Sequence, residues 1–117
     1  MKHIWLLFSA LFLCFNGAQA VAGCDIAITR TACSGKEAIS YKKCGGKQSC
    51  TKAATADTPE ACRVKAVAAC ANDRLDITKS KVISATFDGK PVLNKAGGTD
   101  HCLDYAERDM EFNKCGS

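Results

Sequence analysis

Thiols and a single imidazole are the groups in this chain that could do chemistry. Nine cysteines and two histidines are present, and His3 sits beside an amino-terminal apolar block, so His101 alone is left to serve a site. Around it stand Asp100, Cys102, Asp104 and Tyr105. Nucleophilic catalysis would need Cys102 within reach of that ring, yet adjacent helical residues point about 100° apart. His101, Asp104 and Glu107, spaced by three, could share a helix face and offer a metal three ligands. No His-x-x-x-His or paired Cys-x-x-Cys completes such a cage, and no Cys-x-x-Cys supplies a redox or haem-attachment motif. The sequence therefore predicts an exposed His101 in the first turn of a helix, no catalytic residue, no metal and no cofactor.

A second constellation is cationic. Lys42, Lys43, Lys47 and Lys52 surround Gly45-Gly46, and Arg63 and Lys65 follow on the next helical segment. Backbone amides in a glycine turn, with ammonium groups around them, attract phosphate, sulfate or acidic headgroups. These six are the candidate anion-binding residues. A plainer reading outweighs that one, because no phosphate-loop spacing is present: a solvated turn whose lysines complement the negative end of the preceding helix.

The elements that would position these groups begin after a leader. Ile4 to Phe15 is almost wholly apolar behind Lys2, too short to span a membrane, and Ala18-Gln19-Ala20 has the spelling a leader peptidase cuts. Residues 1–20 are thus expected to be a signal peptide and 21–117 a single domain. Removing the leader takes Cys14 away and leaves Cys24, Cys33, Cys44, Cys50, Cys62, Cys70, Cys102 and Cys115, an even set that can pair completely. Val21-Ala22-Gly23-Cys24 also resembles a lipoprotein cleavage site, which would anchor Cys24 by a lipid. Parity speaks against it, since an acylated Cys24 strands one of the other seven. Cysteines at this density in a short exported chain read as a disulfide scaffold made in an oxidising compartment, periplasmic or secreted.

Such a scaffold answers a thin interior. Beyond the leader only Tyr41, Phe87, Tyr105 and Phe112 are aromatic, and aromatics contribute most to burial. Charge is uneven: eleven Lys/Arg against six Asp/Glu between Cys24 and Lys81, then four against six to Ser117. With no dense basic tract and no tryptophan beyond the leader, nothing points to a nucleic-acid partner.

The expected architecture is α+β, a small disulfide-rich domain of three to four short helices plus one β-hairpin. Asp25 to Cys33 reads as a short helix capped by Asp25, although its isoleucines and threonines alternate. Ser34 to Glu37 spells a capping box for a helix that ends at Gly45-Gly46. Lys47 to Asp57 reads as a loop. Thr58, Pro59 and Glu60 open a helix from Ala61 to Ala71, with Cys62, Ala66, Ala69 and Cys70 on one stripe. Period-two residues from Val82 to Phe87, then Asp88-Gly89 and Lys90 to Leu93, make a hairpin whose Pro91 marks an edge strand. Thr99 or Asp100 would cap a last helix that buries Cys102, Leu103, Ala106 and Met110 and pairs Asp104 with Arg108. Two antiparallel helices would favour Cys33–Cys70 and Cys62 with Cys44 or Cys50, leaving Cys24 for the last two.

The function expected from these features is that of an exported, cysteine-rich, non-catalytic binding protein whose basic face meets a phospholipid headgroup, an acidic glycan or an acidic protein surface. Two other classes compete with it. One is a small hydrolase or metal-dependent enzyme centred on His101; the other is an inhibitor or structural module using the 82–93 hairpin.

Overall fold

The computed structural model describes residues 23–116. The expected leader lies outside the described residues. Four strands form one antiparallel sheet: β1 (Cys24–Ala32), β2 (Ser49–Ala54), β3 (Thr78–Phe87) and β4 (Lys90–Val92), in the order β2-β1-β3-β4. Helix is scarcer than expected. α2 (Pro59–Ala68) has ten residues, whereas α1 (Glu37–Ser40) and α3 (Arg108–Glu111) are single turns. Tight 3-10 turns occupy Tyr41–Cys44 and His101–Asp104. The molecule is a small disulfide-rich α+β domain, built on a sheet instead of a lone hairpin.

β1 corrects the helix expected over Asp25 to Cys33. Cys24, Ile26, Ile28 and Arg30 are buried and the residues between them are not, so period two governs nine residues that are rich in β-branched side chains. Strands on both sides satisfy its backbone. β2 replaces the expected loop around Cys50. Its own residues, SCTKAA, carry little strand character, and the order comes from pairing with β1 from Cys24↔Ala54 to Thr29↔Ser49, with the Arg30 amide donating to the Gln48 carbonyl at 2.9 Å.

Other expectations hold. Thr58 Oγ1 accepts from the Ala61 amide at 3.1 Å and Pro59 opens α2, as the cap and the missing donor of proline require. Asp88 and Gly89 both have positive φ, 55° and 78°, which matches the turn to the strand twist, and Pro91 lies on edge strand β4. Gly45 takes the left-handed conformation, φ 65°, that closes the 3-10 turn after α1. The Ser34–Glu37 capping box does not form: α1 starts at Glu37 with Lys36 at its cap and no side-chain cap bond.

The last helix is also corrected. Asp100 caps, its carboxylate accepting from the amides of Cys102 at 3.0 Å and Ile83 at 3.2 Å, but the chain turns extended at Tyr105 so that Cys102 can reach Cys70. Leu103 and Met110 are therefore exposed, 56% and 64%, instead of buried. Asp104 accepts from the Lys95 amide and faces Arg63 at 3.9 Å; Arg108 lies over the Phe112 ring.

One face of the sheet is covered. Ile26, Ile28, Ile83, Ala85, Val92 and Phe112 pack with Ala66 and the half-cystines Cys24, Cys62, Cys70 and Cys102. All eight cysteines beyond Gly23 are paired: Cys24–Cys62, Cys33–Cys115, Cys44–Cys50 and Cys70–Cys102. This connectivity overturns the one drawn for a helical hairpin. An extended β1 separates Cys24 from Cys33 by about 30 Å, so the first meets α2 and the second meets the carboxy-terminal segment. Cys24 spends its sulfur on Cys62, which leaves none for a lipid.

The enclosed loops differ widely, with separations of 82 residues for Cys33–Cys115 and 6 for Cys44–Cys50. Loop entropy then predicts that replacing the first pair with alanines costs about 4–5 kcal/mol and the second about 2 kcal/mol. Guanidinium denaturation of the two variants checks this, and equal costs would show that loop length does not set the effect.

Candidate anion-binding site

The covered face ends in charge. Continuing β1 inward past Ile28 brings Arg30, and continuing β3 back from Ile83 brings Lys81; the register sets these two directly opposite each other. Both are buried, Arg30 5% exposed and Lys81 8%. Like charges across a strand pair repel, and burial removes the water that would screen them. Each has a partial answer.

Lys81 donates to the carbonyls of Ala69, at 3.4 Å, and Ala71, just past the end of α2. Those are carbonyls that a helix terminus leaves unpaired, at the negative end of its dipole. Arg30 fares worse. Its Nη1 donates to Cys44 Sγ at 3.1 Å, a weak acceptor, and no carboxylate of the described residues lies within ion-pair distance. Burial lowers the Lys81 pKa to about 8, helped by the charges of Arg30 and Lys43 and opposed by Asp73 and Glu111. Arg30 is lowered by burial, with Asp73 opposing.

Between the two opens a cavity of about 30 Å³, lined also by Ile39, Ser40, Lys43, Asn72, Asp73, Arg74, Ile77 and Thr78. Its polar walls are fixed. Ser40 and Thr78 share a hydroxyl hydrogen bond of 2.7 Å, and Asn72 Nδ2 donates to the carbonyls of Thr78 at 2.8 Å and Glu111 at 3.0 Å. Arg74 is 3.5 Å from Asp76, so its charge is partly met. Four cations against one carboxylate, that of Asp73, therefore line the space. A small anion is what such a lining stabilises.

Of the six cations singled out in the sequence, Lys43 alone lines this cavity. Lys42 and Lys43 lie on the 3-10 turn after α1, Lys47 follows it, and Lys52 lies on β2. Arg63 and Lys65 lie on α2. Arg63 follows Cys62, which is bridged to the start of β1, whereas Lys43 precedes Cys44, which touches Arg30. Six strand residues, roughly 20 Å, separate those ends of the sheet. Arg63 is also ion-paired with Glu60, which raises its pKa and lowers that of the glutamate. Arg30, Lys81 and Asn72 were not among the six, although alternation gave a signal: Ile83 and Ala85 face inward, so Lys81 must too.

His101 is not the exposed residue expected. It is 0% exposed, and its Nε2 donates to the Val92 carbonyl at 2.8 Å while Nδ1 is buried without a partner. The extended residue Asp100 before it, and Cys102 drawn to Cys70, turn the ring beneath β4. Among the described residues, no group of three or more His, Cys, Asp or Glu is placed to hold a metal, and no helix is long and apolar enough to cross a membrane.

Two outcomes follow from these burials. Because folding lowers the Lys81 pKa to about 8 from 10.5, the unfolded chain binds more protons between those values, so stability should climb with pH from about 8 upward. Tyr105, raised from 10.0 to about 12 by burial and by its bond to Glu111, acts in the opposite sense above about pH 10, so the climb is read below that. Denaturation midpoints from pH 7.5 to 9.5, at roughly half-unit steps, check it, and Lys81→Met should flatten the curve. His101→Ala should cost about 2–4 kcal/mol by orphaning the Val92 carbonyl and opening a void, read by the same denaturation. The chain matches no protein-family model, no curated protein and no solved structure.

Proposed function

We propose that the chain is an exported, non-catalytic binding protein, periplasmic or secreted, that takes an anionic partner against the basic corner where β1, β3 and the turn after α1 meet. One observation carries this reading: Arg30 is buried beside Lys81, yet no carboxylate of the described residues lies within ion-pair distance of it. Burying a guanidinium without a counter-charge costs stability, and a partner that supplies the charge recovers it on binding. Lys43 adds attraction at the mouth, and Ile39, half exposed and lining the same cavity, gives the corner an apolar contact. Four disulfides and the expected leader support an oxidising destination. The basic corner is preferred to His101, whose ring is 0% exposed and bonded to the Val92 carbonyl.

Binding to anionic vesicles, to heparin and to an Asp/Glu-rich peptide tests the proposal. At least one of the three should bind at low salt and weaken roughly tenfold or more as ionic strength rises from about 0.01 M to 1 M, where the screening length shrinks from about 30 Å to about 3 Å. Joint replacement of Arg30 and Lys43 by glutamine should weaken that binding roughly tenfold, whereas Arg63→Gln, whose charge Glu60 already meets, should leave it unchanged. Absence of binding to all three at low salt would overturn the reading.

A further inference from the structure

We propose that the cavity between Arg30 and Lys81 is a receptor for a single carboxylate group, presented by an acidic side chain of a partner protein or by a free small acid. The inference rests on the basic-corner reading and narrows it. Size is the first argument. About 30 Å³ is room for one or two waters or for the two oxygens of one carboxylate, so the space suits a small anionic group.

Donor geometry is the second. A guanidinium presents a planar fork that matches two carboxylate oxygens, and Arg30, 5% exposed, uses only Nη1, on the sulfur of Cys44. Lys43 stands on the same wall, and the linked hydroxyls of Ser40 and Thr78 have lone pairs and protons to share. Lys81 is held from behind by the carbonyls after α2, so its charge is fixed beside the space. Asp73 lines the cavity beyond ion-pair distance of Arg30 and Lys81, and is the internal competitor for it.

Formate is the probe, titrated into the full disulfide-bonded chain at constant ionic strength, with sulfate as the size control. Formate should raise the melting temperature by roughly 5 °C at about ten times its dissociation constant and shift the Arg30 side-chain N–H signal, while sulfate leaves that signal in place. Arg30→Gln should weaken formate binding at least roughly tenfold, the loss of a bidentate charged contact. Should that variant fail to fold, Lys43→Gln, an exposed change, should weaken binding severalfold, and Asp73→Asn should strengthen it by removing the competitor. A formate response that is the same in wild type and all variants, or saturates without moving the Arg30 signal, overturns the proposal. A blocked peptide with one aspartate that competes with formate assigns the carboxylate to a protein partner; formate binding without such competition assigns it to a free acid, and both outcomes support the receptor. Loss of formate binding with vesicle, heparin or peptide binding intact refutes the carboxylate receptor while the basic-corner reading stands.

Discussion

Sulfur holds α2 at both of its ends, to the sheet at one and to the His101–Asp104 turn at the other, and the remainder of the molecule is arranged around that clamp. Cys62 in the first turn is tied to Cys24 at the start of β1, and Cys70, beyond the last turn, is tied to Cys102. Between them Ala66 is the helix's fully buried side chain, and it contributes little apolar area. Helix-to-sheet packing this small would not hold a ten-residue helix in place, because isolated helices of that length are marginal in water. The two bridges, by restricting the unfolded chain, do what larger side chains would do in a thicker core.

Fixing the helix also fixes its carbonyl end, and that end is where Lys81 docks. The sheet can therefore run past its apolar rows into a cross-strand pair of cations without splaying apart. Arg63 shows the ordinary solution for a surface arginine, a carboxylate one helical turn away. Arg30 lacks it. A local rule broken in a well-packed setting is where function tends to reside, and among the described residues the Arg30 guanidinium donates to the sulfur of the adjacent Cys44–Cys50 bridge, with Asp73 beyond ion-pair distance.

Local chemistry was legible where a residue acts on its immediate neighbours. Thr58-Pro59 announced α2, Asp88-Gly89 announced the hairpin, and Pro91 announced an edge, because each effect is contained in a few backbone dihedrals. β1 is not legible from its own residues, because Asp25 can cap a helix as well as begin a strand, and what decides is pairing with residues twenty or more positions away. β2 has even less of its own, since its order is lent by β1. The disulfide partners then followed from the wrong hairpin, although the even number of sulfurs correctly implied full pairing. At the site, Lys43 is visible as part of a lysine cluster, while Arg30 and Lys81 carry no mark of their own and are placed by the strand alternation.

The Cys33–Cys115 bridge encloses α1, both 3-10 turns, β2, α2, the β3–β4 hairpin and α3 in one covalent ring. Its two sulfurs are 82 residues apart, so the ring cannot close until Cys115 has been made and brought back to Cys33. The other three bridges, with separations of 38, 6 and 32 residues, need nothing beyond Cys102, so Cys33–Cys115 is the one that a growing chain can complete last.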